Sequence, residues 1–311
     1  MRVAVSIGDL NGIGIEVALR SHAAVRELCR PLYIIDREML QQAADLLEIP
    51  IPEDFQTVPH VADHFTISPS TISAQSGAFS YASFRQAVDL AQRGDADAVT
   101  TLPIHKKAWE EAGIPYKGHT DALADIFDTE AIMMIGAPGL FTALYTHHIP
   151  LREVPDALET DRLARFLVTL YEEIKEEKIG VLGLNPHAGD YGLLGNEERM
   201  IEAAIEIANA KLLEDIFVGP LVPDTAFTPH MREHFGYYVC MYHDQRLIPV
   251  KTLYFEEGIN VSLALPVIRT SVDHGTAYDK AYKKGKISIL SYLNAIKEAV
   301  RLATKKRHFK I

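Results

Sequence analysis

Short apolar runs alternate with amphipathic stretches along the whole chain, and this alternation constrains the fold more than any other feature of the sequence. The apolar runs are nearly continuous, which is typical of strands that are covered on both faces of a sheet. Runs of this kind predict buried strands over residues 2–7, 32–35, 98–102, 131–135, 140–145, 179–184, 237–242 and 260–265. The alternation therefore predicts an α/β protein with a largely parallel sheet.

Helical spacing marks several segments between the predicted strands. Apolar residues in segment 84–91 recur at helical spacing and stop at Gly94, which predicts a helix that ends there. Thr160 is the predicted N-cap of a further amphipathic helix. A last helix is predicted over residues 289–303, and the basic residues 305–307 after it are expected to be a solvated, frayed end.

Length and composition limit the class of protein. The 311 residues favour two domains or one large domain, and 48% hydrophobic with 23% charged residues exclude a disordered chain. The 31 Lys and Arg against 42 Asp and Glu give a formal net charge of −11. Because nucleic-acid binding depends on neutralising phosphates with cations, this balance argues against a nucleic-acid partner.

Neither membrane insertion nor a disulfide framework is expected. The longest apolar stretch, residues 131–145, is interrupted by Gly136, Pro138 and Gly139. It is also shorter than the ~20 residues that cross a bilayer. Two cysteines are too few for a disulfide framework or a cysteine-rich metal site. We therefore expect a cytoplasmic protein.

Three of the predicted strands are directly followed by histidines, namely His147 with His148, His187, and His243. Ligands of open α/β sheets bind outside the carboxyl ends of the strands. Three imidazoles suit Zn, Ni, Co or Fe and leave coordination positions open for a substrate. Asp190 and Asp244 are candidate hydrogen-bond partners for these imidazoles. The alternative is that they are unrelated loop histidines, and position alone does not decide between the two.

Other polar residues fall where they suit an anionic substrate. Segments 101–106 and 118–121 combine cationic or hydrogen-bonding groups with turns. Arg269 follows an apolar stretch with a planar group able to grip carboxylate or phosphate, and the alternative is a buried structural ion pair. The glycine-rich segment 8–14 matches neither the dinucleotide fingerprint nor the Walker pattern, so it predicts only backbone N–H groups available to an anion.

Four segments carry a more specific pattern: GHT at 118–120, GLNPHAG at 183–189, MYHDQ at 241–245 and IRTSVDHGT at 268–276. In this order and at this spacing they resemble the 4-hydroxythreonine-4-phosphate dehydrogenase family of vitamin B6 biosynthesis. The resemblance runs from Gly8 to about Gly285, which is nearly the whole chain.

The resemblance implies a fold like that of the isocitrate and isopropylmalate dehydrogenases, with two α/β/α domains around a central cleft. The first domain is expected to comprise residues 1–105 with 262–311, and the second residues 106–261 with the metal-binding histidines and the dimer contacts. It also implies a homodimer whose active site lies at the subunit interface.

The implied reaction is oxidation of 4-phosphooxy-L-threonine by NAD or NADP to 2-amino-3-oxo-4-phosphooxybutanoate, which decarboxylates to 3-amino-2-oxopropyl phosphate. The implied ligands of one divalent metal ion, such as Zn, Co or Mg, are His148, His187 and His243, the third contributed across the dimer interface. The implied substrate-binding residues are His119, Thr120, Lys251, Asn260 and Arg269, with Lys251 as the catalytic proton relay. The implied cofactor-binding residues are Asp273, His274, Gly275 and Thr276.

The sequence departs from the family pattern at several positions. Leu10 and Asn11 replace the usual Pro and Ala, Arg246 replaces a Gly after the third metal histidine, and Tyr282 replaces a Gly in the cofactor loop. Lys283-Lys284 indicates a one-residue insertion. These lysines either favour a cofactor with a 2′-phosphate or form a solvated basic turn, and we prefer the second interpretation. The choice between NAD and NADP stays open.

Three other functions are compatible with parts of the pattern. A paralogous dehydrogenase would oxidise a four-carbon sugar-acid phosphate, such as threonate or erythronate 4-phosphate. A metal-dependent phosphate-ester hydrolase would use the three histidines without a nucleotide. A binding module without activity would leave the separate anion-binding and metal-binding groups unexplained.

Overall fold

The computed structural model describes residues 1–59, 62–129 and 131–308, which form two compact units. The first unit is Met1–Ala131 with Ile259–Ile311, and the second is Ile132–Gly258. The expected domains placed segment 106–131 in the second domain, whereas it belongs to the first unit. Packing is the reason, because Trp109 and Leu123 of this segment are buried in one cluster with Phe84.

All eight predicted strands are present, with ends that differ from the prediction by at most two residues. The strands of the described residues are β1 (Arg2–Ser6), β2 (Arg30–Ile34), β3 (Thr57–Val58), β4 (Ala98–Thr101), β5 (Ile132–Ala137), β6 (Leu140–Leu144), β7 (Ile179–Leu182), β8 (Phe217–Leu221), β9 (Tyr237–Cys240), β10 (Ile259–Leu263) and β11 (Arg269–Val272). Three of these were not predicted. β3 has only two residues, β8 contains a Gly-Pro pair, and β11 is buried although most of its residues are polar.

Each unit has a mainly parallel sheet, as predicted. In the first unit the strand order is β3-β2-β1-β4-β11-β10, and only the β10–β11 pair is antiparallel. In the second unit the order is β5-β6-β9-β7-β8, and only the β5–β6 pair is antiparallel. Parallel strands that are neighbours end at the same edge of a sheet, so the residues that follow β6, β9 and β7 come together at one edge.

Ten α-helices accompany the strands in the described residues. They are α1 (Gly14–Leu28), α2 (Arg37–Leu47), α3 (Ala74–Gln92), α4 (Lys106–Glu111), α5 (His119–Phe127), α6 (Thr160–Ile174), α7 (Glu197–Leu212), α8 (Pro229–His234), α9 (His243–Leu253) and α10 (Leu290–His308). The helix predicted to stop at Gly94 is α3, and Gly94 has the left-handed φ of +78° that terminates helices.

Two helix predictions were wrong in detail. Thr160 is the first residue of α6 rather than its N-cap, which is Glu159 without a side-chain cap. Residues 305–307 are not a frayed end, because α10 continues to His308 and Arg307 forms an ion pair with Asp97. Among the helices that the structure describes, none combines the length and the apolar character needed to span a bilayer.

Candidate active site

Arg269 is a buried cation whose hydrogen-bond partners are neutral. It lies on β11 with 4% of its surface exposed. Its Nε and Nη2 atoms donate to Thr101 Oγ1 at 3.2 and 2.7 Å, and Nη1 donates to Ser262 Oγ at 3.2 Å. Within the described ranges no carboxylate forms an ion pair with it, so the structural ion pair considered from the sequence is not found there. Burial lowers the pKa of Arg269 to about 9, which leaves it charged at neutral pH.

His119 stands next to this cation at the first residue of α5. Its ring packs against Phe84 at 4.8 Å and edge-on against Trp109 at 5.4 Å between centroids. Burial lowers the pKa of His119 well below its usual range, and the charge of Arg269 lowers it further. Its Nε2 atom is buried and has no hydrogen-bond partner in the described structure. A neutral imidazole nitrogen without a partner, beside a cation without a counter-charge, is suited to an anionic ligand that can satisfy both.

The buried state of His119 predicts a pH-dependent stability. The folded protein holds this imidazole neutral, whereas the unfolded chain protonates it near its ordinary pKa of about 6.5. The folded pKa is the lower one, so this contribution is complete above about pH 6.5 and is lost as the pH falls. We expect urea unfolding to show wild type losing stability relative to His119→Gln, by up to about 1.4 kcal/mol per pH unit.

The control for this measurement is His230→Gln, because the side chain of His230 is 77% exposed on α8. We expect this variant to keep the pH dependence of wild type. Parallel profiles for wild type and His119→Gln would contradict the assignment of a buried neutral imidazole.

The other predicted residues of the first unit lie on two segments. Thr120 is half-buried in the first turn of α5, which has no side-chain cap. Asn260 on β10 donates through Nδ2 to Asp273 Oδ1 at 2.7 Å, so a predicted substrate residue contacts the predicted cofactor loop. Thr276 of that loop is buried, and its carbonyl accepts from the N–H of Ile13 at 3.0 Å.

His274, Gly275 and Lys251 complete the predicted set outside the metal ligands. His274 is half-buried and hydrogen-bonded through Nδ1 to the carbonyl of the exposed Gly275 at 3.0 Å. Lys251 belongs to the second unit, where it is half-buried on α9 with its Nζ atom 5.6 Å from the ring centroid of Phe255.

Two of the three candidate metal ligands lie together in the second unit. His148 follows β6 and His243 follows β9, and since these strands pair, their imidazole centroids are 5.2 Å apart. His243 Nδ1 shares a hydrogen bond with Asp244 Oδ1 at 2.7 Å, as predicted for Asp244, and its Nε2 is thereby left for a metal. His187 is exposed on a turn, Pro186–Gly192, where its φ is +54°.

The described part of the chain does not place three His, Cys, Asp or Glu side chains where they would hold a metal ion. One chain thus supplies a pair of adjacent imidazoles and a third, His187, on a separate turn. A divalent metal ion bound at this pair would need at least one further ligand.

Two residues that were not singled out from the sequence hold the backbone around these histidines through side-chain hydrogen bonds. Glu198, buried on α7, accepts through Oε1 from the N–H groups of Leu184 and Asn185 at 2.9 and 2.7 Å. Gln245 accepts from Met241 N at 2.7 Å and donates to the carbonyl of Gly183 at 2.8 Å, so it joins the ends of β9 and β7. Gln245 was visible within the MYHDQ segment, whereas no sequence signal distinguishes Glu198 from a solvated glutamate.

The departures from the family pattern have structural counterparts. Arg246 is buried and donates through Nη1 to the carbonyl of Met133 at 3.3 Å. Lys284 is exposed and paired with Glu48, and Lys283 donates to the carbonyl of Asp279 at 2.7 Å. These contacts agree with the preferred interpretation of a solvated basic turn.

Comparisons with known proteins agree on one family. The profile described as pyridoxal phosphate biosynthetic protein PdxA matches residues 27–299. The 4-hydroxythreonine-4-phosphate dehydrogenase of Sulfurimonas denitrificans is 52% identical, covering 97% of this chain and 98% of its own length. That of Campylobacter fetus is 48% identical with the same coverage. A crystal structure of a 4-hydroxythreonine-4-phosphate dehydrogenase from Burkholderia phymatum superposes with a TM-score of 0.80 at 34% identity, covering 97% of this chain and 98% of that one.

Proposed function

The chain belongs to the pyridoxal phosphate biosynthetic protein PdxA family, and we propose that it is a 4-hydroxythreonine-4-phosphate dehydrogenase. It oxidises the C3 hydroxyl of 4-phosphooxy-L-threonine with NAD or NADP. The β-keto acid that results, 2-amino-3-oxo-4-phosphooxybutanoate, loses CO₂ to give 3-amino-2-oxopropyl phosphate, a step in the synthesis of vitamin B6.

The observation that carries this proposal is the charge of Arg269, which has no carboxylate partner among the residues that the structure describes. A buried guanidinium that contacts only hydroxyl groups is costly unless a ligand brings the counter-charge. The substrate carries two anionic groups, a phosphate and a carboxylate. Arg269 binds one of them through two parallel hydrogen bonds from its planar guanidinium. His119 and Thr120, on the first turn of α5, provide further hydrogen bonds to the same anion.

Two further residues act on the substrate in this proposal. Asn260 is oriented by its hydrogen bond to Asp273, which connects substrate binding with the cofactor loop 273–276. Lys251 takes up the proton of the substrate hydroxyl during oxidation, a role in which lysine side chains serve as general bases. The Asp273–Thr276 loop binds the nucleotide, which carries the hydride chemistry itself.

The family implies a divalent metal ion, and we assign it to His148, His187 and His243. Bound at these imidazoles, it would polarise the substrate hydroxyl as a Lewis acid and orient the substrate. Asp244 holds the ring of His243 in place, and Glu198 and Gln245 hold the adjoining backbone. Imidazole ligation favours softer ions such as Zn or Co over Mg.

We propose that the enzyme is a homodimer with an active site at the subunit interface. Support comes from large apolar side chains exposed on the second unit, near the segments that carry the candidate metal ligands. Leu151 is 65% exposed, Tyr191 100%, Ile248 65% and Phe255 74%. Exposed apolar residues on neighbouring segments are typical of an interface.

A cytoplasmic location fits the same picture. Cys29 and Cys240 are both free and buried, and burial raises the pKa of the Cys29 thiol to about 11. Buried thiols of this kind are inert hydrophobic groups that suit a reducing compartment.

The alternatives are not favoured. The relatives from Sulfurimonas denitrificans and Campylobacter fetus, which cover nearly the whole chain, are named for the phosphorylated hydroxy-amino acid, not for a sugar-acid phosphate or for hydrolysis. A binding module without activity does not account for a family of dehydrogenases.

The proposal is tested by adding 4-phosphooxy-L-threonine to the purified, metal-loaded protein and following reduced nicotinamide. Threonate and erythronate 4-phosphate serve as competing substrates, each with NAD and with NADP. We expect the amino-acid phosphate to be oxidised with the highest kcat/KM. Preference for a sugar-acid phosphate would overturn the substrate assignment, and phosphate release without reduced cofactor would favour a hydrolase.

A further inference from the structure

The proposed chemistry does not use Asp9, although this carboxylate is completely buried, three residues after the end of β1. Its Oδ1 atom accepts from the N–H of Asn11 at 2.9 Å. Its Oδ2 atom accepts from the hydroxyl of Tyr278 at 2.8 Å and from that of Ser76 at 3.3 Å. A buried carboxylate is retained only where such donors compensate its desolvation, so Asp9 fixes the groups that surround it.

Tyr278 is the donor most distant from Asp9 in sequence, and it lies two residues after the proposed nucleotide loop 273–276. Its ring stacks on His105 with 4.9 Å between centroids and 19° between planes. Its carbonyl accepts a hydrogen bond from Ser70 Oγ. Tyr278 is therefore held at its hydroxyl, its ring and its backbone, each time by a different segment of the first unit.

Two further contacts join segment 273–282 to the turn after β1. The hydroxyl of Tyr282 donates to the carbonyl of Leu10 at 2.6 Å, and the N–H of Ile13 donates to the carbonyl of Thr276 at 3.0 Å. The two segments are also very close at Gly12, where a Cβ atom would lie 2.8 Å from Thr276 Cβ. Only glycine at residue 12 permits this approach.

Tyr282 adopts a backbone conformation that needs such support. Its φ is +57°, in the left-handed region that suits glycine. Bulky residues persist there only where the surroundings over-determine the backbone. The hydrogen bond from its hydroxyl to Leu10 is one such constraint.

We propose that Asp9 and Tyr278 are positioning residues that hold segment 273–282 in its nucleotide-binding conformation before the nucleotide arrives. The inference rests on the proposed function, because it takes Asp273–Thr276 as the nucleotide loop. A loop that is ordered in advance loses less conformational entropy on binding, so its ligand binds more tightly. Asn11 supports the arrangement by accepting from Ser68 N at 2.9 Å and donating to Thr71 O at 2.8 Å, on either side of Ser70.

The test compares Tyr278→Phe, which removes one hydroxyl, with wild type. We expect the Kd for NADH or NADPH, titrated alone by fluorescence, to rise about tenfold or more, as for loss of a hydrogen bond to a charged acceptor. At saturating nucleotide, kcat and the KM for the phosphorylated substrate should change by less than about twofold. Amide hydrogen exchange of segment 273–282, measured without nucleotide, should become faster.

Tyr33→Phe is the matched control. It removes a buried tyrosine hydroxyl from the same unit, where its partner is His22 Nδ1 at 3.0 Å. We expect it to leave nucleotide affinity and exchange of segment 273–282 unchanged. Asp9→Asn combined with Tyr278→Phe should weaken nucleotide binding less than the product of the single effects, because both changes alter the same contact between residues 9 and 278.

Unchanged exchange in Tyr278→Phe would overturn the inference, as would faster exchange with unchanged nucleotide affinity. If Tyr33→Phe changed nucleotide affinity and amide exchange of segment 273–282 as much as Tyr278→Phe does, the cause would be a general destabilisation of the first unit. That result would also overturn the inference. Failure of the proposed function would be visible separately, since wild type itself would then reduce neither NAD nor NADP with the phosphorylated substrate.

Discussion

Arg269→Met is expected to lower kcat/KM for 4-phosphooxy-L-threonine by about a thousandfold while leaving the fold at least as stable as wild type. The large kinetic effect follows from removing one partner of a desolvated charge pair, which costs about 2–5 kcal/mol. The anion of the substrate would then have to be buried without the guanidinium that compensates its charge.

The expected stability of Arg269→Met follows from the hydrogen-bond partners of Arg269 in the protein without substrate. They are the hydroxyls of Thr101 and Ser262, which are neutral and therefore do not offset the charge of the buried guanidinium. Burial disfavours the guanidinium enough to lower the pKa of Arg269 to about 9. Methionine fills similar space without a charge, so the free energy of unfolding should stay constant or rise by about 1–3 kcal/mol.

Steady-state kinetics and urea unfolding of the same samples measure kcat/KM and the free energy of unfolding. Arg269→Lys is the informative companion, since it keeps the charge and loses the planar fork, and it should fall between wild type and Arg269→Met in kcat/KM. A clear loss of stability in Arg269→Met, with little loss of activity, would mean that the arginine is a structural residue.

The same residue illustrates what the sequence could predict of the fold. Eight strands were predicted because their apolar runs are nearly continuous, a direct sign of burial on both faces. β11 was missed because it reads Arg269-Thr270-Ser271-Val272, and its burial depends on β4 and β10 beside it rather than on its own hydrophobicity. The segment 106–131 was placed in the wrong unit for a related reason, since its packing on α3 is a tertiary property.

For the candidate site, the sequence predicted the edge of the sheet but not which side chains meet there. Histidines after predicted strands could be assigned to one edge of a sheet, but the adjacency of His148 and His243 depends on the pairing of β6 with β9, which are far apart in sequence. Asp9 and Glu198 look like ordinary surface carboxylates in the sequence. Their roles appear only when burial and hydrogen-bond partners are known.

His148→Ala, His187→Ala and His243→Ala are each expected to lower turnover by about a thousandfold or more and to abolish stoichiometric binding of Co or Zn in a calorimetric titration. The loss has a direct cause, because an open metal site with three protein ligands has none to spare. The control is His234→Ala, on α8 in the same unit, which should bind metal like wild type. Normal metal binding by all three variants would contradict the assignment.

Mixing the inactive variants tests whether the third ligand, His243, crosses the dimer interface. If it does, a mixed dimer of His148→Ala and His243→Ala contains one site with three intact histidines. Half of the dimers in an equal mixture are mixed, so about a quarter of wild-type activity should return after subunit exchange. His187→Ala with His243→Ala should behave in the same way, whereas His148→Ala with His187→Ala should stay inactive. Each distribution of the three ligands over two chains gives its own pattern of recovered activity. Recovery of activity in the mixture of His148→Ala with His187→Ala, or in no mixture, would therefore show that His243 is not the ligand that crosses the interface.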